Sequence, residues 1–140
     1  MGVVAMIADK ARSLAEKYGT NDPYKLARAL KILVLFHGLG KTYGYYHSYK
    51  RIKMIIINCD LDEWMKRYVC AHELGHAILH PDINTAFLKR NTFFSIGRFE
   101  REANEFAINL LLYGEKLEDY ETKYDILREN GIPYDMERFI

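Results

Sequence analysis

One short segment of the chain has the spacing of a catalytic metal site: His72-Glu73-Leu74-Gly75-His76. Residues four apart on a helix project from the same side, so the imidazoles of His72 and His76 could both bind one zinc ion. Glu73 lies beside them and could take a proton from a water molecule at the metal without binding the metal itself. The pattern indicates metal-assisted hydrolysis, but two histidines on an apolar helical face could equally be ordinary core residues.

The next predicted helix carries residues that could complete such a site. Glu100 and Asn104 share one face with Ala103 and Ala107, and these small alanines would let the two helices lie close together. Glu100 could then supply the third ligand of a two-His, one-Glu zinc site that keeps one position open. Asn104 could hydrogen-bond a zinc-binding imidazole and fix its orientation. Glu102 lies about 200° around the helix from Glu100, so we expect it to face solvent.

Two other residues near the motif need a physical explanation. A glycine inside a helix costs about 1 kcal/mol relative to alanine. Gly75 therefore predicts the close approach of another backbone element beside the histidines. His80 follows the motif at the predicted end of the helix, where we expect its side chain to meet the last helical carbonyl groups.

In this order, the motifs resemble those of the ImmA/IrrE family of metallo-endopeptidases. The resemblance is carried by the Ile55-Ile56-Ile57-Asn58 strand, by residues 72–81 and by residues 100–112. It covers residues 43–112 firmly and the helical ends more loosely. The chain departs from the family at Tyr113-Gly114, where a Met-Pro pair is common, and these positions are not ligands.

The resemblance implies a gluzincin-like zinc site in which His72, His76 and Glu100 bind Zn²⁺ and Glu73 acts as general base. The chain is similar to short, single-domain members found beside repressor genes on phages and mobile elements. Such relatives relieve repression by cutting the repressor, which implies a repressor-like transcription factor as protein substrate. The alternative is a zinc-stabilised anti-repressor module that binds without hydrolysis. The ligand types also suit manganese or iron.

The elements around the motifs predict one α+β domain over residues 1–140. Its active-site helix and Glu-bearing helix would pack beside a small antiparallel sheet. The predicted helices span 4–18, 23–30, 61–79, 97–112 and 116–128, and the predicted strands span 32–36, 44–49 and 52–57. The last two strands are predicted to form an antiparallel hairpin with a tight turn at Lys50-Arg51. Residues 82–96 are predicted to have less regular secondary structure. The first strand is apolar enough to be buried, and residues 54–57 could pair with an extended substrate by β-augmentation.

Charge and cysteine content narrow the class of protein. The net charge is +1, from 20 Lys and Arg against 19 Asp and Glu, which argues against nucleic acid as the main partner. No segment reaches the roughly 18 apolar residues needed to span a membrane. Cys59 and Cys70 show no disulfide framework, so we expect a reducing compartment, with the cytoplasm as the default. Cys70 precedes the motif on the same helix and is expected to be a buried thiol.

Overall fold

The computed structural model describes residues 2–88 and 97–140 and has the predicted α+β architecture. In chain order the elements are α1 (Val3–Tyr18), α2 (Pro23–Ala29), β1 (Leu33–His37), β2 (Thr42–Tyr49), β3 (Ile52–Asn58), α3 (Glu63–Leu79), β4 (Thr85–Leu88), α4 (Arg98–Leu111) and α5 (Lys123–Glu129), with short 3-10 helices at Leu117–Asp119 and Tyr134–Phe139. Of the region predicted as irregular, residues 89–96 lie outside the described residues, and β4 lies in the part before them. Among the described helices, none is long and apolar enough to cross a membrane.

The four strands form one mixed sheet in the order β1-β3-β2-β4. β1 runs parallel to β3, while β2 runs antiparallel to both β3 and β4. The prediction of an antiparallel sheet is therefore wrong for one pairing. β3 lies between β1 and β2 and is the second strand of the hairpin that β2 and β3 form. β1 pairs with β3 and runs in the same direction as β3. An apolar run in the sequence predicts a strand but does not fix its direction.

β2 and β3 form the predicted hairpin, with Tyr46 opposite Ile55 across the pair. Lys50 and Arg51 make the two-residue turn and have φ values of 48° and 69°. Positive φ at both central residues is typical of the type I′ turn, whose twist matches that of the flanking strands. The hairpin and the position of its turn are confirmed.

β1 is an edge strand with an exposed apolar surface. Leu33, Leu35 and Phe36 are 51, 40 and 45% exposed. The prediction of a buried strand is wrong here, because a short apolar run does not distinguish an interior strand from an apolar edge strand.

β3 is the interior strand between β1 and β2, and Ile55, Ile56 and Ile57 are buried. Its two backbone edges already pair with β1 on one side and β2 on the other. An extended substrate cannot add to a strand whose ladder groups are paired on both sides. The hypothesis that residues 54–57 bind substrate by β-augmentation is therefore wrong.

Helix α3 lies in the interior of the molecule, between the sheet and helices α2 and α4. Residues 68–77 are all buried, so every face of this part of the helix contacts protein. The helix begins at Glu63, two residues later than predicted. The delay arises because Asn58 accepts hydrogen bonds from the backbone N–H groups of Asp60 and Leu61, which form a turn before the helix.

Helix α4 packs tightly against α3 at Gly75. A β-carbon at Gly75 would lie 3.2 Å from the carbonyl oxygen of Ala103 and 3.2 Å from Cβ of Phe106. Because this is tighter than ordinary van der Waals contact, glycine is what allows the two helices to lie this close. The predicted approach of another backbone element is confirmed, and it brings Glu100 of α4 beside the histidines of α3.

We expect Gly75→Val to lower the free energy of unfolding by about 1–3 kcal/mol, because the added methyl groups would overpack the contact between α3 and α4. The loss should occur even though valine has the higher helix propensity. Urea denaturation of both proteins would measure it. Gly38→Val is the matched control, since a β-carbon at Gly38 meets nothing within 4 Å. Equal stability of the two variants would contradict this account of Gly75.

The C-terminal region does not form the single helix predicted over residues 116–128. A short 3-10 helix at Leu117–Asp119 is followed by a break, and α5 then begins at Lys123. Thr122 and Asp125 form a capping box in which each side chain accepts the backbone N–H of the other residue. This capping box starts a new helix, and its Thr-x-x-Asp pattern is visible in the sequence.

The two cysteines differ in exposure. Cys59 is exposed at the end of β3, whereas Cys70 is buried on α3, and both are free thiols. Burial raises the pKa of the Cys70 thiol well above its usual value. The prediction that Cys70 is a buried thiol is confirmed.

Candidate metal centre

Helix α3 carries the two histidines of the motif in the interior of the protein. His72 and His76 are fully buried, and their ring centroids lie 4.9 Å apart with the ring planes at 83°. One ligand atom from each of His72, Glu73 and His76 lies within 4.8 Å of the other two. The motif therefore forms one cluster of groups that could hold a metal ion.

Glu100 of α4 lies against both histidines. Its Oε2 atom is 2.9 Å from Nε2 of His72, and its Oε1 atom is 2.8 Å from Nε2 of His76. Two tetrahedral ligands about 2.1 Å from a zinc ion would lie about 3.4 Å apart. A small outward shift of these atoms would admit the ion. Two imidazoles and a carboxylate are also a donor set that zinc prefers.

Glu73 is a fully buried carboxylate beside these three residues. Within the described part of the chain, neither of its oxygens has a hydrogen-bond partner. Burial raises the pKa of Glu73 well above its usual value, and the charge of Glu100 raises it further. A buried polar group without a partner is costly. A metal ion and a water molecule at this position would supply the missing partners.

The protonation states of the cluster suit metal binding. Burial lowers the pKa of His76 to about 4, so its imidazole is neutral at neutral pH. Burial by itself would raise the pKa of Glu100, but the neighbouring His72 and His76 outweigh it and hold that pKa well below its usual value. Metal ions bind neutral imidazole and ionised carboxylate, the states that these pKa shifts favour for His76 and Glu100.

Asn104 fixes the orientation of the His72 ring. Its Oδ1 atom lies 2.7 Å from Nδ1 of His72 and also accepts a hydrogen bond of 2.7 Å from the hydroxyl of Tyr68. Because an amide oxygen only accepts, Nδ1 of His72 carries a proton, and Nε2 is the ring atom that faces Glu100. Sequence analysis missed Tyr68, although its place four residues before His72 puts it on the same helical face.

His80 and Glu102 extend the polar network from the other histidine. Nδ1 of His80 lies 3.0 Å from Nδ1 of His76, and Nε2 of His80 lies 2.8 Å from Oε1 of Glu102. Arg98 donates from Nε to the second carboxylate oxygen of Glu102 at 3.3 Å. The network thus runs from His76 to the surface of α4.

The sequence predictions for the side chains of His80 and Glu102 are both wrong. His80 leaves the helical path, with φ of −134° and ψ of 54°, so its ring turns back to His76 and does not meet the helical carbonyl groups. The side chain of Glu102 is only 16% exposed because His80 covers it. Its expected solvent exposure followed from the geometry of α4 alone, which takes no account of the end of α3.

Comparison with known proteins adds an independent line of evidence. Residues 27–139 match the family described as the IrrE N-terminal-like domain, Peptidase M78. The chain is 40% identical over 140 residues to the protein named "Uncharacterized immunity region protein 2" of Bacillus phage phi105, covering 96% of this chain and 89% of that protein. It is 29% identical over 113 residues to "Metallopeptidase ImmA" of Bacillus subtilis (strain 168), covering 81% of this chain and 67% of that protein. The family match includes β1 to α4, and therefore every residue of the cluster.

Proposed function

Because the chain belongs to the IrrE N-terminal-like family of peptidase domains, as its resemblance to the ImmA/IrrE family predicts, we propose that it is a zinc-dependent endopeptidase that cleaves a regulatory protein. The family and the ImmA relative support the broader statement, a metallopeptidase role. One observation carries the finer proposal: His72, His76 and Glu100 converge beside the buried carboxylate of Glu73, which has no hydrogen-bond partner among the described residues.

In this proposal His72, His76 and Glu100 bind zinc and leave one coordination position open. When bound, zinc would polarise the scissile carbonyl and lower the pKa of the attacking water to about 7. The support lies in the 2.8 and 2.9 Å separations between Glu100 and the two imidazoles, and in the placement of all three residues on packed helices. Metal analysis of the purified protein distinguishes zinc from manganese or iron, which this donor set also accommodates.

Glu73 is the general base in this proposal. It accepts the proton of the attacking water and then delivers it to the departing amine. Its raised pKa suits both steps, because a carboxylate with a raised pKa is a stronger base than an ordinary one. Glu73 lies 4.0 Å from Nε2 of His76, whereas Glu100 lies 2.8 Å away, which favours Glu100 as the ligand and Glu73 as the base.

Asn104 is proposed to act through His72 and not on the substrate. By accepting the Nδ1 proton of His72, it keeps the Nε2 lone pair directed toward the metal position. The hydroxyl of Tyr68 holds the same oxygen from the other side. The imidazole is thereby oriented before any metal binds.

We propose a repressor-like transcription factor as the substrate, cleaved by one catalytic domain that comprises residues 1–140. Support comes from the relatives, one named as an immunity region protein of a phage and the other as the metallopeptidase ImmA. The near balance of charges argues against direct binding of nucleic acid, and no membrane partner is proposed. The two free thiols suit a reducing compartment, so cleavage is proposed to occur in the cytoplasm.

The proposal is tested by co-expressing the chain with the repressor-like protein whose gene lies next to its own. We expect wild type to produce a discrete repressor fragment, identified by mass spectrometry, and Glu73→Gln to produce none. Intact repressor with both proteins, together with co-purification of the pair, would overturn the peptidase in favour of the anti-repressor module.

A further inference from the structure

The network from His76 through His80 to Glu102 contains two residues that no step of the proposed reaction uses. We propose that His80 and Glu102 are positioning residues that hold His76 in the tautomer and orientation required to bind the metal. The inference rests on the proposed function, because it takes His76 as a metal ligand. The inference adds a second set of hydrogen bonds that orients a proposed ligand. His80 and Glu102 orient His76, whereas Asn104 hydrogen-bonds His72.

The donor and acceptor pattern carries the argument. If Nε2 of His76 faces the metal, Nδ1 carries the proton and needs an acceptor. The atom at that position is Nδ1 of His80, 3.0 Å away. His80 can accept there when its own proton is on Nε2, and the Glu102 carboxylate, 2.8 Å from Nε2, is the acceptor for that proton. Each bond therefore determines the direction of the next.

Burial makes this arrangement specific. His76 is fully buried, and the side chain of His80 is 4% exposed, so solvent is largely kept from these two rings. The His80 ring also packs on Phe99, with centroids 4.5 Å apart. Because Phe99 and Glu102 both belong to α4, the contact fixes the end of α3 to the helix that carries Glu100. The same contacts therefore determine both the orientation of the His76 imidazole and its distance from Glu100.

The test compares the zinc affinity of the purified full chain in wild type and variants, by competition with a chelator. His80→Phe keeps a ring of similar size but removes both hydrogen bonds, and Glu102→Leu removes the acceptor for His80. We expect each variant to bind zinc about 10- to 100-fold more weakly than wild type. His80→Asn, whose amide oxygen can replace Nδ1 as an acceptor, should restore part of the affinity. Glu105→Leu is the matched control, since within the described part of the chain the Glu105 carboxylate is hydrogen-bonded by Asn109 of its own helix and not by a residue of the cluster.

A second measurement separates positioning from general stability. In nitrogen-15 NMR spectra of the zinc-loaded protein, wild type should show a slowly exchanging Nδ1–H signal from His76, and His80→Phe should lose it. Melting of the metal-free proteins measures any general loss of stability, which the inference requires to be too small to unfold the variants at the temperature of the zinc titration; if His80→Phe does not fold, Glu102→Leu provides the test. Unchanged zinc affinity and an unchanged His76 signal would overturn the inference. Failure of wild type itself to bind zinc would overturn the proposed function, a distinguishable result.

Discussion

Replacing Glu73 with glutamine is expected to lower the rate of substrate cleavage by about 10²- to 10⁴-fold, the range for loss of a general base. Glutamine has nearly the same shape but cannot accept the proton of the attacking water. Glu73 is farther than Glu100 from His76, so the variant should keep one zinc ion per chain. Cleavage of the purified repressor, followed by mass spectrometry, gives the rate, and elemental analysis gives the zinc content.

The controls for Glu73→Gln follow from its surroundings. Glu105→Gln makes the same chemical change on α4 at a carboxylate that bonds Asn109 on its own helix, and it should cleave at the wild-type rate. Glutamine also removes a buried carboxylate that has no hydrogen-bond partner in the described part of the chain, so the variant should not melt below wild type. A variant that keeps zinc and still cleaves at the wild-type rate would contradict the role of Glu73.

Removal of zinc is expected to abolish cleavage and to lower the melting temperature by roughly 10 °C. A ligand present at 1,000 times its dissociation constant stabilises the folded state by about 4 kcal/mol. In a domain of this size, each kcal/mol shifts the melting temperature by about 3 °C. Thermal unfolding before and after treatment with a chelator measures the change. Added zinc should restore both activity and melting temperature.

Glu100→Gln provides the matching genetic test of metal removal. Without this carboxylate, α4 no longer places the proposed charged ligand beside the two histidines of α3. The melting temperature of the variant should therefore respond little to zinc, whereas Glu105→Gln should respond as wild type does. A full response by Glu100→Gln would mean that Glu100 is not a ligand.

Much of the candidate site could be predicted from sequence because its geometry is local. The relative positions of His72, Glu73 and His76 follow from helical periodicity alone. Glu100 required one further assumption, that α4 packs on α3, which the alanines beside Glu100 supported and with which Gly75 was consistent. The structure brings Glu100 to within 3 Å of both imidazoles.

The features that sequence reasoning missed depend on contacts between segments distant along the chain. The direction of β1 and the exposure of Leu35 depend on where β3 inserts, which the apolar run itself does not encode. The bond from His80 to Glu102 depends on how the chain leaves α3 and on which part of α4 lies opposite. The helix start at Thr122 is a different case, because its capping box was present in the sequence and was not used.

Because one cysteine is exposed and the other is buried, the protein contains a natural probe for local unfolding around helix α3. Cys59 is accessible to a thiol reagent in the folded state, whereas Cys70 lies inside the helix that carries both histidines. Modification of Cys70 therefore requires α3 to separate from its neighbours, so its rate reports how often the active-site helix opens. The rate of Cys59 modification provides an internal reference in the same sample. Rigidity at the active site can thus be followed without adding a label or changing a residue.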